Sequence, residues 1–164
     1  MHDVLTQFRA ALDSAEPRAV SVGYRSLTLF SSPELEAQQV GYSRDQTGRD
    51  LAGDTDGAWQ HSWLVVGTED LCGDPIFVDL AGPGFPVYTA MHGEGAWRPT
   101  LLALSFESFL QGLREVERLS NRRTNPKDLA ARPLSPAEHA GLLDVLACLG
   151  ADVDRAFWTD WFET

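Results

Sequence analysis

The residues best able to do chemistry lie between positions 61 and 94. His61, Cys72, Asp74, His92 and Glu94 are the types that build a thiol–imidazole–carboxylate site, in which a base activates the thiol. Nothing in their spacing requires such a site. Cys72 lies in a Leu-Cys-Gly turn, where a small buried thiol is common and inert. These residues therefore do not predict a catalytic centre.

Metal binding is a second chemistry that the same segment could support. Asp74, Asp79 and His92 are all ligand types, and His92-Gly-Glu94 has the His-x-Glu spacing of zinc deaminases. The paired cysteines that would complete a deaminase site are missing, since the chain has two cysteines far apart in sequence. Turn and edge-strand residues that face water explain these positions equally well. We predict neither a metal nor a cofactor.

Motifs of the common enzyme classes are also missing. The serine of Gly-Tyr-Ser-Arg-Asp (41–45) lacks the closing glycine of a nucleophile elbow. There is no glycine–lysine phosphate loop, and Gly-Pro-Gly-Phe (82–85) is too short for a dinucleotide fingerprint. We therefore predict that the protein is not an enzyme.

The central segment, residues 59–113, predicts three strands followed by a helix. Apolar residues alternate or run in short blocks at 63–66, 76–80 and 87–91, and Gly, Pro or Asp ends each block. From Phe106 the apolar residues recur at three- and four-residue spacing, which indicates one face of a helix. Ser105 can cap that helix. The pattern predicts a strand meander with a helix over one of its faces.

The N-terminal third is assigned from periodicity alone. Asp3 is predicted to cap a first helix, which Pro17 ends. In residues 20–29 the apolar side chains change from even positions (20, 22, 24) to odd ones, which predicts a turn or bulge at Arg25-Ser26. Ser32 is predicted to cap a short helix that begins at the following proline.

Beyond these elements, residues 44–57 are polar and rich in turn formers, so we predict a long, mobile surface loop. Residues 121–133 are predicted to be a connector. Ser135 and Glu138 form a capping box at the start of the C-terminal helices, predicted over 135–162. The bulky aromatic residues of 153–162 are predicted to seal the core.

Length and composition limit the class of protein. A chain of 164 residues is most simply one domain. Its start carries an acid and lacks an apolar core, so no signal peptide is predicted. No apolar run reaches the length of about 20 residues that a membrane helix needs. We predict a cytoplasmic protein without a membrane partner.

Net charge limits the kinds of partner that the protein can bind. The chain has 13 basic and 24 acidic residues, a net charge of −11, and such a surface repels nucleic acid. The bias is strongest in residues 61–110, where Arg98 is the only base. Six acids lie there: Glu69, Asp70, Asp74, Asp79, Glu94 and Glu107. They indicate either a solvated surface that aids solubility or a surface that attracts a basic partner.

The order of motifs in residues 59–113 resembles the SUKH superfamily, which includes the fungal cell-wall-assembly regulator and many bacterial immunity proteins. The motifs are a Trp before a short strand, then GDPIFVDL, Pro-Val-Tyr, a His and SFESFL. The resemblance implies an α+β fold in which helices pack on a twisted, mostly antiparallel sheet of about five or six strands. It implies a single domain over 1–164, no catalysis and a protein partner. The usual opening of the family, a Leu-Pro helix motif before an Asn-Gly-Gly turn, is missing here.

Resemblance and charge together predict an immunity-type protein that neutralises a basic toxin, for example a nuclease. The alternative is an intracellular regulatory or scaffold module of the same superfamily, and an unrecognised hydrolase or metal enzyme is a third reading. The predicted binding surface has carboxylates, two aromatic anchors and a histidine, namely Asp54, Asp56, Asp70, Asp74, Glu94, Trp59, Trp97 and His92. Both tryptophans border strands, so the competing interpretation is that they only cap the core. The oligomeric state is left open.

Overall fold

Six strands form one antiparallel sheet in the order in which they occur along the chain. The structure, a computed structural model, describes residues 2–163. The strands are β1 (Ala19–Val22), β2 (Arg25–Leu29), β3 (Trp63–Glu69), β4 (Asp74–Asp79), β5 (Val87–Thr89) and β6 (Thr100–Ala103). The predicted α+β class and antiparallel sheet are confirmed, and the three strands predicted in the central segment are β3, β4 and β5.

The first hairpin turns two residues earlier than predicted. β1 and β2 pair up to Val22 and Arg25, so Gly23 and Tyr24 form the turn and Ser26 already lies in β2. Gly23 has a φ of +58°, a conformation that glycine adopts without a side-chain penalty. Tyr24, which continues the even-numbered apolar set in the sequence, is 80% exposed. The apolar side chains therefore change from even to odd positions because of a tight turn and not because of a bulge.

The sixth strand was not predicted. Thr100–Ala103 is a short apolar run without alternation, directly before the cap of the next helix. It is an edge strand, and the C-terminal segment covers its outer side. The Leu101 carbonyl accepts a hydrogen bond from Asp154 N (2.8 Å), and the Leu102 carbonyl accepts one from Trp158 Nε1 (3.1 Å). Covering an edge in this way prevents pairing with another chain.

Helices pack on one side of the sheet, which we call the helical face. They are α1 (His2–Asp13), α2 (Phe106–Ser120), α3 (Pro126–Ala131), α4 (Pro136–Leu149) and α5 (Arg155–Thr159), followed by a 3₁₀ turn at Asp160–Phe162. Their apolar side chains form the larger core with the inward residues of the strands. Within residues 2–163 no helix combines the length and the apolar character needed to cross a membrane.

Two predictions for the N-terminal third were wrong in detail. Asp3 lies inside the first turn of α1 and does not precede it, since the helix already includes His2. No helix starts at Ser32. Residues 32–36 form turns, and only a three-residue 3₁₀ helix, Ala37–Gln39, follows them.

The C-terminal half agrees better with its local signals. The Ser105 hydroxyl accepts a hydrogen bond from Ser108 N (3.1 Å) at the start of α2, as predicted. The capping box of α4 is complete, because Glu138 N donates to Ser135 Oγ and Ser135 N donates to a Glu138 carboxylate oxygen. The aromatic tail is buried against the core, as predicted. The predicted connector of 121–133 contains α3, which Asn125 caps.

The opposite side of the sheet, which we call the aromatic face, has a smaller core. Trp59, Phe77, Val65 and Ala90 are buried there, and partly buried aromatic rings surround them. The segment 39–62 lies over this face, since its Tyr42, Ala52 and Trp59 belong to this core. Gln39 joins that segment to β3, because its amide accepts from Val65 N and donates to Val65 O, both at 3.0 Å.

Residues 44–57 form a loop without a helix or a named strand, as predicted. Asp45 organises its first half by accepting hydrogen bonds from Thr47 and from Arg49 N. These bonds, above all the one from the Thr47 hydroxyl, lower the pKa of the Asp45 carboxyl.

Candidate functional site

Three of the sheet's connections lie at the same end. In an antiparallel meander every second turn falls on the same side, so the β1–β2, β3–β4 and β5–β6 connections are neighbours. Two hydrogen bonds tie the later connections to the ends of neighbouring strands. Asp70 N donates to Ser26 O (2.9 Å), and His92 N donates to the Asp74 carboxylate (2.9 Å).

A fourth segment joins this end from the aromatic face. Gly57 O accepts a hydrogen bond from Trp97 N (2.8 Å), which attaches loop 53–57 to loop 91–98. Residues 53–57, 70–74 and 91–98 contain five carboxylates and one guanidinium, that of Arg98. We call these three segments, with the Gly23-Tyr24 turn, the acidic end. All five carboxylates predicted to bind a partner lie on it.

The five carboxylates differ in what holds them. Asp74 is half-buried and accepts the bond from His92 N, and Asp70 is exposed and accepts a hydrogen bond from the Ser26 hydroxyl. Asp54, Asp56 and Glu94 are exposed. Two acids are thus fixed by the turns of the sheet, and the other three point into solvent on loops.

Large apolar side chains are exposed among these acids. Tyr24 is 80%, Leu71 56% and Met91 63% exposed, and each lies on a different connection at the acidic end. None of the three was predicted from the sequence as an exposed contact residue. Their signal was an apolar residue at the tip of a turn, where polar residues usually occur. Apolar side chains next to charged groups are typical of protein–protein interfaces.

A buried carboxylate holds the β3–β4 turn. The Glu69 carboxylate accepts hydrogen bonds from Leu71 N (3.2 Å) and Cys72 N (3.3 Å), and lies 3.4 Å from Arg25 Nε. The Arg25 guanidinium in turn lies over the rings of Phe157 and Trp161, at 5.4 and 5.2 Å from their centres. The last helix of the chain therefore supports a turn of the acidic end through one ion pair.

The two tryptophans predicted as anchors have different positions. Trp59 is 1% exposed and its Nε1 donates to Trp63 O (3.1 Å). A buried ring cannot contact a partner, so the prediction of Trp59 as an anchor is wrong and its core role is correct. Trp97 is half-buried and packs on Trp59, with ring centres 5.1 Å apart, so part of its ring stays accessible.

One residue of the alternative catalytic site, His61, lies far from the others. His61 precedes β3 and Cys72 follows it, and a seven-residue strand is about 20 Å long. Cys72 is exposed, whereas its turn was expected to bury the thiol. His61 instead lies 3.8 Å from an Asp50 carboxylate oxygen, near the opposite end of the sheet. His61 therefore cannot join a thiol–imidazole–carboxylate site with Cys72, whereas Asp74, His92 and Glu94 belong, like Cys72, to the acidic end.

The alternative metal site is not assembled. Asp74 begins β4 and Asp79 ends it, so only Asp74 lies near His92. In the part of the chain that the structure describes, no three His, Cys, Asp or Glu side chains form a group suited to a metal ion.

Comparison of the chain with protein-family models, with curated proteins and with solved structures finds no match. The resemblance to the SUKH superfamily stays a prediction.

Proposed function

We propose that the protein is a non-catalytic, immunity-type binding protein that neutralises a basic toxin domain through its acidic end. One observation carries the proposal. Three turns at one end of the sheet present exposed apolar side chains, Tyr24, Leu71 and Met91, among carboxylates that have few internal partners.

The chemistry of the partner determines what a binding surface must offer. A toxin that cleaves nucleic acid needs positive charge where it holds phosphate. An inhibitor can occupy that surface if it offers carboxylates in a complementary arrangement. Long-range attraction then speeds the encounter, and apolar side chains that lose water on contact slow dissociation. The acidic end offers both kinds of group side by side.

The position of the acids supports a pre-organised surface. Asp70 and Asp74 are held by hydrogen bonds to neighbouring connections, and Glu69 fixes the turn between them. Groups that are already ordered lose less conformational entropy when a partner binds.

The test uses two matched charge reversals. The variant Asp54→Lys/Asp56→Lys/Glu94→Lys changes exposed acids of the acidic end. The control variant Glu117→Lys/Asp144→Lys/Asp152→Lys changes the net charge equally, at exposed acids on α2, α4 and the α4–α5 connection. Each is mixed with the purified cognate toxin domain, sought first among the products of the neighbouring genes, and the association rate is measured. We expect the first variant to associate about tenfold more slowly or worse, and the control to change much less.

Growth of cells that express the same toxin domain gives the biological readout. Co-expression of the wild-type chain should rescue growth, and the acidic-end variant should rescue it poorly. Equal slowing by both variants would show that only total charge matters and would refute the proposed site. Tight binding without rescue would favour the regulatory or scaffold alternative.

A further inference from the structure

A cleft of about 300 Å³ opens on the acidic end beside Trp97. Met91, His92, Glu94 and Trp97 line it. Ala96 and three glycines at positions 41, 93 and 95 complete the lining, and the three glycines all have positive φ. A side chain at these positions would be strained. The three glycines therefore place no side chain over the rings, and a ligand can reach them. We call this feature the Trp97 cleft.

Aromatic rings form one wall of the Trp97 cleft and a layer behind it. The ring centres of Tyr42 and Trp97 are 5.4 Å apart, and His92 lies 6.0 and 6.1 Å from them. Carboxylates border the same rings. Glu94 lines the cleft, and the charge of Asp74, after burial, raises the pKa of the Tyr42 hydroxyl. An aromatic wall next to negative charge is the arrangement that attracts an organic cation.

The molecule contains one such arrangement that is already filled from within. The Arg25 guanidinium lies over two aromatic rings and 3.4 Å from the Glu69 carboxylate. At the Trp97 cleft the rings and a carboxylate are present, but among residues 2–163 no arginine or lysine lies over the rings of Trp97 or Tyr42. Arg98 follows Trp97 in the chain and is exposed.

We propose that the Trp97 cleft receives an arginine side chain of the partner, with the guanidinium stacked on Trp97 and paired with Glu94. This inference rests on the proposed function and adds the residue type that anchors the partner. Arginine fits better than lysine, because a planar guanidinium stacks on an aromatic ring while its N–H groups donate to a carboxylate.

The first experiment uses blocked arginine, N-acetyl-arginine amide, as the probe. Binding is followed in the full chain by the NMR signals of the Trp97 indole N–H and of the backbone N–H groups of residues 91–98, and the backbone signals remain available in variants without the indole. We expect a saturable shift at millimolar concentration, which is the affinity range of a single small contact. Blocked citrulline has nearly the same shape without the charge and should bind much more weakly. An equal response to citrulline, or no saturable shift with arginine, would overturn the inference.

Variants test whether the Trp97 ring itself binds the probe or only supports the fold. Trp97→Leu should weaken binding of blocked arginine by about two- to thirtyfold, the range expected for one cation–π contact. Trp97→Phe keeps a ring and should lose less. Trp63→Leu is the control, since Trp63 lies on the same face but does not line the cleft. If both Trp97 variants bind blocked arginine as the wild type does, the inference is wrong.

The same variants distinguish this inference from the proposed function. Suppose that Trp97→Leu binds the toxin domain normally while the acidic-end charge reversal does not. That result would support the acidic end as the binding surface and would refute the arginine site at the Trp97 cleft. If the charge reversal also has no effect, the proposed function fails as well.

Discussion

Individual carboxylates have two different roles in this molecule. Glu69, Asp45 and Glu138 accept hydrogen bonds from backbone N–H groups and so fix a turn, a loop and a helix start. Asp56 and Glu94 are exposed on loops of the acidic end. The first kind stabilises the fold, and the second is free to interact with a partner.

Glu138 gives a pH-dependent test of the structural role. Hydrogen bonds from Ser135, chiefly its backbone N–H, and then the Arg123 guanidinium lower the pKa of its carboxyl below 4.5. A lowered pKa stabilises the folded chain above the pKa of the unfolded state, and this contribution is lost as the pH falls through the folded value. We expect Glu138→Gln to lower the free energy of unfolding by about 1 kcal/mol near pH 7, and by much less near pH 3.

Urea unfolding at the two pH values measures this difference. Asp144→Asn, an exposed position in the same helix, is the control and should stay within about 0.5 kcal/mol of the wild type at both. A loss for Glu138→Gln that is equal at both pH values would show that the carboxylate charge plays no part.

Side-chain burial was the hardest residue property to predict. Trp59 and Trp97 both border turns, and the sequence does not show that the first fills the small core while the second reaches the surface. Tyr24 continues the even-numbered alternation of Val20 and Val22, so the turn was predicted at Arg25-Ser26, but Gly23 had already started it. In each case a tertiary contact or a turn one residue away decided the outcome.

At the scale of elements, the sequence predicted the helices and strands whose ends are set by neighbouring residues. The cap of α2, the capping box of α4 and strands β3 to β5 follow from capping residues, periodicity and turn formers. β6 and α3 were missed because both are short. β6 has no alternation, and it is positioned by the C-terminal segment that covers its edge. α3 did carry a signal, Asn125 before Pro126, which is a cap followed by a proline at the first helical position.

The five carboxylates of the acidic end were predicted from the resemblance and the charge bias together, although Asp54 and Asp56 lie outside the biased segment 61–110. The sequence located them in the central strands and nearby loops, and the order of strands in the sheet brings them to one end. The exposed apolar side chains beside them could not be placed without that order, because they belong to three separate turns.

Two helical glycines provide an element-scale prediction with opposite signs. In α2, a methyl group on Gly112 would lie 2.5 Å from the ring of Trp158, which is fully buried. In α4, a methyl group on Gly141 would meet no atom within 4 Å. We expect Gly112→Ala to lower the free energy of unfolding by about 1–3 kcal/mol through overpacking. Gly141→Ala should raise it by about 0.5–1 kcal/mol through helix propensity.

Equilibrium unfolding in urea compares the two variants with the wild type. Each serves as the control for the other, since both replace a helical glycine by alanine. A stable Gly112→Ala variant would mean that α2 can move away from α5, contrary to the packing described here.

At the scale of the whole molecule, charge is distributed unevenly. The net charge is −11, yet the arginines on the outer side of α2 are paired, Arg114 with Glu107 and Arg118 with Glu115. The acidic end has no comparable neutralisation of Asp54, Asp56 and Glu94 within residues 2–163. Its negative potential therefore extends into solvent.

This distribution predicts a strong effect of salt on binding. Raising the ionic strength from about 20 mM to about 500 mM should slow association with a basic partner by about tenfold or more, because the charges are screened within a few ångströms. Dissociation should change far less, since it depends on short-range contacts. Stopped-flow mixing with the toxin-type domain measures both rates. An association rate that is independent of salt would remove the electrostatic basis of the proposal.

The ion pair between Arg25 and Glu69 has a consequence for how binding would be transmitted. It connects the turn that carries Asp70 and Leu71 to the rings of Phe157 and Trp161, near the far end of the sequence. Whatever immobilises that turn therefore also restrains the tail, and fraying of the tail loosens the turn. A partner bound at the β3–β4 turn should therefore slow amide exchange in α5, near the C-terminus.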